Sequence, residues 1–381
     1  MPPAPDAAAL QRALAALPGF AGVAPQDLQP LPGKGLAHDH LVIANFRHAG
    51  RPVLLRVPKQ SQWALPPAEN LRYQAACFER VGASGHGPRL YGVLAPTAAV
   101  PLGALVVERI EGRPPRLPED LPALAEAMAR VHALPLPPPA GRPPLADHRD
   151  PVAQALAEIE RQAAFLGAAA LAEESRAWIE AELAWARGFA AAVARAAPAQ
   201  PRCLVLTDTH PGNFLITAAG KAVIVDLEKA LYGAPGIDLA HATVYSSTTW
   251  DADSHAVLTR AEVAGFYRRY LSTLAALAGE AAARALAPWL LPLRRLLVLR
   301  AVTWCAKWLV QQEKSAGAGT ENWSAAASDA ALVAHVAERV ADYLSPATLA
   351  RMADDWAADS PLRRRSPSRA SESLESRFLC S

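Results

Sequence analysis

The stretch Leu204–Ala240, LVLTDTHPGNFLITAAGKAVIVDLEKALYGAPGIDLA, decides the fold class. Its three short apolar runs are separated by polar residues, and its acids fall at the run edges. Leu204-Val205-Leu206 reads as a strand entering a tight loop. Phe214-Leu215-Ile216 and Ala222-Val223-Ile224-Val225 are hairpin partners across the Ala218-Ala219-Gly220 turn. Antiparallel pairing then sets Asn213, at the start of one strand, opposite Asp226, at the end of the other, so an amide oxygen and a carboxylate converge.

That convergence has a chemical use. Mg²⁺ prefers hard oxygen ligands and commonly takes one or two carboxylates, with water and phosphate oxygens completing its octahedron. Asn213 and Asp226 suit that role. Asp208 lies just before them on the loop, where phosphoryl transfer needs a carboxylate to orient an incoming hydroxyl and accept its proton.

Working outward towards the N-terminus, Leu41–Ala44 and Pro52–Val57 flank the turn-forming His48-Ala49-Gly50 and predict a β-hairpin. Glu69–Val81 has helical spacing, and Ala104–Val107 is a short β-rich run ending at Glu108-Arg109-Ile110-Glu111-Gly112. Strands and one helix make a small first lobe. Beyond it, Leu121–Leu134 is helical in period and Pro135–Pro144 is a stiff connection. Further helices are expected over Pro151–Ala196 with a break near Gly167, and over Ala261–Ala283, Leu290–Gln312 and Ala325–Tyr343. The expected units are residues 1–107, a small first lobe; 108–360, a larger and mainly helical lobe; and 361–381, a Ser/Arg-rich disordered tail.

Composition narrows the function classes. Among 381 residues, 38 basic and 36 acidic side chains give a net charge of +2, which lacks the basic field of nucleic-acid binders. The 51% hydrophobic share is largely Ala, with no apolar run of spanning length, so no membrane segment is expected. Met1–Asp6 lacks the pattern of a signal peptide, and a cytoplasmic location is expected. Cys77, Cys203, Cys305 and Cys380 are widely spaced and suggest neither disulfides nor zinc. Partners are expected to be small molecules; the residues leave the oligomeric state open.

Asp208-Thr209-His210-Pro211-Gly212-Asn213 has the D-x-x-x-x-N spacing of a kinase catalytic loop, and Asp226-Leu227-Glu228 stands where the metal-binding D-F-G would be. The D-x-H-P-G-N form, with Gly236-Ile237-Asp238-Leu239-Ala240 downstream, resembles the aminoglycoside phosphotransferase and choline kinase superfamily. The resemblance implies an α+β, two-lobe, protein-kinase-like fold that moves the γ-phosphoryl of ATP, with Mg²⁺, to a hydroxyl of a small molecule. It implies that Asp208 is catalytic, that Asn213 and Asp226 hold Mg²⁺, and that Asp238 anchors the catalytic loop. By the same resemblance Arg56 holds ATP phosphates, the backbone of the Val107–Ile110 hinge, with Glu108 and Ile110, reads adenine, and Gly33 and Gly35 belong to a phosphate-covering turn.

Two departures stand out. Leu206 occupies the place of the superfamily's usual His before the catalytic Asp, and Gln74 sits near where a helix Glu would partner the phosphate-binding cation, with Glu69 and Glu79 as substitutes. Both keep a pseudokinase-like nucleotide-binding or scaffolding protein in play. Glu228, Tyr245, Trp250, Asp251 and Asp253 either line an acceptor pocket, where acids and aromatics hold a cationic substrate, or form a solvated loop. His210 is read as shaping its loop, His132 as a satisfied core histidine, and Trp304 and Trp308 as one core-facing helix stripe.

Overall fold

The computed structural model describes residues 6–31, 37–61, 63–313 and 330–363. Gly33, Gly35 and residues 364–381 of the Ser/Arg-rich tail lie outside the described residues.

The small lobe comprises α1 (Ala7–Ala15), β1 (Leu28–Leu31), β2 (His38–His48), β3 (Arg51–Pro58), α2 (Pro67–Gly82), β4 (Leu90–Leu94) and β5 (Ala104–Glu108). Its five strands form one antiparallel sheet in the order β1-β2-β3-β5-β4. Alternation along the strands divides the sheet into two faces. Val53, Leu55 and Val57, with Ala104 and Val106, join Leu10 and Leu14 of α1 in one buried cluster. The intervening Leu105 and Val107 face the other way, packing with Leu71, Phe78 and Val81 of α2 in a second cluster that continues into the large lobe. Arg56 follows the same alternation and shares this second face, with its guanidinium 5.7 Å from the ring centre of Phe78.

The lobe holds more than the strands and one helix expected of it. The additional α1 starts at Asp6, whose carboxylate accepts the Ala9 N–H at 2.5 Å and so caps the helix. Its apolar stripe is hidden in a uniformly Ala-rich sequence. The additional β1 carries Pro30 at a sheet edge and β4 carries Gly92, both of which weaken a strand pattern.

The large lobe contains α3 (Leu121–His132), α4 (Pro151–Ala163), α5 (Glu173–Ala196), β6 (Cys203–Val205), β7 (Phe214–Ile216), β8 (Ala222–Ile224), β9 (Leu231–Gly233), α6 (Pro235–His241), α7 (Tyr245–Thr248), α8 (Arg260–Ala278), α9 (Glu280–Leu286), α10 (Leu290–Glu313), α11 (Ala330–Tyr343) and α12 (Pro346–Ala353). Two antiparallel ribbons, β6–β9 and β7–β8, are set among the helices. Leu124 and Met128 of α3, Phe266 and Tyr270 of α8, and Leu293 and Leu296 of α10 lie in one continuous core.

The lobes are stitched together at the β7–β8 ribbon. Arg113 donates its N–H to the Ile216 carbonyl at 3.0 Å and accepts the Ile216 N–H at 2.8 Å. His86, in the α2–β4 loop, accepts the Ile224 N–H at 2.8 Å, and its ring Nδ1 lies 2.8 Å from the Ala222 carbonyl. Gly112 passes so close that a Cβ there would meet the Ile216 carbonyl oxygen at 2.9 Å. The result is the α+β, two-lobe arrangement with a small antiparallel-sheet lobe and a larger helical lobe. Among the described residues no helix is long and apolar enough to cross a membrane.

Candidate active site

The loop after β6 is shaped by its neighbours. Thr207 adopts a left-handed backbone, φ 61°, unusual for a β-branched residue and maintained only where surroundings over-determine it. Those surroundings are specific: Asp238 on α6 accepts the Leu206 N–H through Oδ2 and the Thr207 N–H through Oδ1, both at 2.7 Å. The Thr209 hydroxyl donates to the Asp238 carbonyl at 2.7 Å, and the Thr209 N–H to His241 Nδ1 at 2.9 Å. Leu206 itself is wholly buried in the core, so the aliphatic side chain packs while Asp238 fixes the backbone.

Asp208 emerges from this frame with its side chain 21% exposed. Lys229 Nζ donates to Asp208 Oδ2 at 2.7 Å; His241 Nδ1 and His210 Nε2 lie 3.8 and 4.0 Å from Oδ1. Burial works to raise the Asp208 pKa, but the Lys229 ammonium, with His210 and His241 beside it, outweighs burial and holds the acid far below the usual carboxylate range. Burial lowers His241 to about 3, against the attraction of Asp208, so its Nδ1 is an acceptor for Thr209. His210 Nδ1 is buried without a hydrogen-bond partner among the described residues.

Asn213 donates its Nδ2 to the Asp208 carbonyl at 2.8 Å, which leaves Oδ1, a hard oxygen, as the side chain's remaining donor atom towards a cation. The ribbon register differs by one residue from that expected. Phe214 pairs with Ile224, and the Val225 N–H bonds the Asn213 carbonyl at 3.0 Å, so Asn213 stands opposite Val225 and Asp226 follows it. The apolar run ends at Val225, but the last ladder pair forms one residue earlier, a boundary that hydrophobicity alone does not mark.

Arg56 reaches across the cleft. Its Nη2 pairs with both Asp226 and Glu228, and lies 3.2 Å from His38 Nδ1. Asp226 remains 37% exposed, whereas Arg56 and Glu228 are buried. Glu228, expected at an acceptor pocket, is thus turned inward and occupied with Arg56. It supplies the carboxylate sought on the helix, where Glu69 and Glu79 are both exposed. Gln74 still contributes at one remove, its Oε1 lying 3.1 Å from His38 Nε2.

The remaining candidates lie on two sides of this cleft. Glu108 closes β5, and its carboxylate pairs with Arg51, while its N–H donates to the Arg89 carbonyl at 2.8 Å and the Arg109 N–H donates to the Pro52 carbonyl at 2.9 Å. Trp250 and Asp251 follow α7. Asp251 covers the Asp208–Asn213 loop, since a Cβ on Gly212 would meet its Oδ2 at 2.6 Å. Trp250 packs edge-on against Trp304 and His335, and its carbonyl lies 2.7 Å from His335 Nε2. Trp304 and Trp308 both pack on the main core, Trp308 buried within it and Trp304 at its margin against Trp250, as their i, i+4 spacing implies. Tyr245 donates to Asp342 at 3.0 Å, away from Asp208. Lys229 and His241, both beside Asp208, carry no motif signal in the sequence.

A small sheet lobe hinged to a helical lobe, with polar strand and loop residues facing each other between them, is the protein-kinase-like architecture. The chain belongs to the phosphotransferase enzyme family, APH, which matches residues 44–286. No curated protein sequence matches it significantly. Solved structures share the fold. A choline kinase from Cryptosporidium parvum Iowa II superposes with a TM-score of 0.55 at 11% identity, covering 93% of this chain and 98% of its own. A macrolide 2′-phosphotransferase from Brachybacterium faecium gives 0.51 at 16% identity, with coverages of 90% and 98%. A Plasmodium vivax ethanolamine kinase gives 0.51 at 13%, with coverages of 86% and 85%. At these identities the likeness is one of fold.

Proposed function

We propose that this phosphotransferase moves the γ-phosphoryl of ATP to a hydroxyl of a small-molecule acceptor. The observation that carries the reading is the Arg56–Asp226 pair, which brings a small-lobe cation and a large-lobe carboxylate to one point in the cleft. The donor set suits a magnesium nucleotide: Asn213 Oδ1 and the Asp226 carboxylate are hard oxygens, and Arg56 binds phosphate oxygens through its fork. When bound, Mg-ATP supplies the transferable phosphoryl. The backbone of the Val107–Ile110 hinge is the proposed adenine-reading edge.

Asp208 is the residue that orients the acceptor hydroxyl and takes its proton. Asp238, through two backbone N–H groups, and Asn213, through the Asp208 carbonyl, keep it in place. Trp250 and Asp251, over Gly212, are proposed as the acceptor wall. A nucleotide-binding scaffold without turnover is the second reading, favoured by Leu206 in the bracing position.

The first test is the thermal shift given by ATP with and without Mg²⁺. Wild type is expected to show a Mg-dependent rise that Asp226→Ala loses, since only binding to the folded state raises the melting temperature. Asp208→Asn should retain that rise and lose ADP release in an acceptor screen. Undiminished release would remove Asp208 from its role, and absence of any nucleotide shift would remove the phosphotransfer reading.

A further inference from the structure

Lys229 lies just beyond the Asp226-Leu227-Glu228 stretch and is absent from the roles given so far. Its backbone is tied from two sides. The Thr207 hydroxyl donates to the Lys229 carbonyl at 3.0 Å, and the Trp63 indole, from the small lobe, donates to the Glu228 carbonyl at 3.1 Å. The root of the side chain is therefore fixed to the catalytic loop, while the side chain itself is 38% exposed. Its Nζ sits 2.7 Å from Asp208 Oδ2, closer than either histidine.

A carboxylate serving as proton acceptor in phosphoryl transfer has an electrostatic problem. It must stand beside a highly anionic group in a cleft of low dielectric, where like charges repel strongly. Arg56 cannot relieve Asp208, because Asp226 and Glu228 engage it. Lys229 is placed to do so, and it leaves Asp208 Oδ1 for the acceptor.

Resting on the phosphotransfer reading above, we propose that Lys229 is a positioning residue for Asp208, holding Oδ2 and cancelling its charge so that Oδ1 can face the hydroxyl beside the moving phosphoryl group. In the transfer, the bond from γ-phosphorus to the bridging oxygen of ATP breaks and a bond to the acceptor oxygen forms. The hydroxyl proton passes to Asp208 and ADP leaves. Lys229 exchanges no atom.

The test compares calorimetric binding of Mg·ADP with that of Mg·ADP plus aluminium fluoride, a mimic of the moving phosphoryl with water as acceptor. Lys229→Met is expected to weaken the aluminium fluoride complex by about 10²-fold, the scale of one lost electrostatic contact, and Mg·ADP by less than about twofold. Lys229→Arg should recover most of the loss, and Lys229→Met should add little in an Asp208→Asn background. Equal weakening of both complexes, or none, overturns the positioning role. So does a wild type that binds Mg·ADP but gains nothing from aluminium fluoride. A wild type that binds no Mg·ADP overturns the phosphotransfer reading itself.

Discussion

His132 Nε2 lies 3.1 Å from Asp238 Oδ2, joining residues 106 apart in sequence inside the core, and its Nδ1 lies 2.9 Å from the Tyr270 hydroxyl. The chain Tyr270–His132–Asp238 ends on the backbone of Leu206 and Thr207, so α8 and α3 steady the loop that carries Asp208. A core histidine here holds an anion whose other bonds shape the site.

His132→Ala removes one donor from the buried Asp238 and is expected to cost about 1–3 kcal/mol of stability. Urea unfolding measures this, and nucleotide-dependent turnover should fall with it. An unchanged midpoint would show that water replaces the ring at no cost.

Glu228→Gln leaves the buried Arg56 with Asp226 as its sole carboxylate partner among those described. Breaking one partner of a buried ion pair costs about 3–5 kcal/mol, and the surviving Asp226 places the expected loss at the lower end. Equilibrium denaturation of wild type and variant decides it. A neutral result would show that Asp226 alone suffices.

His241 gives stability a definite pH slope. Burial lowers it to about 3 in the folded protein, from an ordinary 6.5, despite the attraction of Asp208. Between those values the unfolded chain binds the proton and the native state does not, so stability falls as pH drops from 6.5 towards 3. Melting temperatures across that window should decline less steeply for His241→Asn than for wild type. Parallel curves would exclude His241 as a source of the slope.

Gly112→Ala and Gly188→Ala should act in opposite directions. A Cβ at Gly112 meets backbone of Ile216 at 2.9 and 3.1 Å, and such crowding costs about 1–3 kcal/mol. Gly188, inside α5, has nothing within 4 Å, so alanine there should stabilise by about 0.5–1 kcal/mol through helix propensity. Differential scanning calorimetry of the pair would show whether the connector is pinned to the ribbon as tightly as its hydrogen bonds indicate.

The β2–β3 hairpin and the β7–β8 ribbon were legible because apolar runs, turn glycines and edge acids repeat at short range. The long helices were legible by period. What escaped were contacts between distant segments. Nothing near Glu228 announces that it meets Arg56 from 172 residues away, nor does the position of Lys229 reveal its bond to Asp208. Ladder register was misjudged by one residue at Asn213, because an apolar run continues past the last paired residue. Ala-rich composition concealed α1, whose identity rests on the Asp6 cap and three buried side chains.

If Arg56 holds a nucleotide's phosphates as proposed, its pairs bear on how strongly that nucleotide is held. In the ligand-free protein the guanidinium is already engaged by anions belonging to the chain itself. Any phosphate that approaches meets a competitor of very high effective concentration, tethered in place and unaffected by dilution. Measured affinity is then a difference between an external and an internal bond, so a substitution that loosens Glu228 can tighten phosphate binding while weakening the fold. Stability and ligand affinity at this one arginine draw on the same charge.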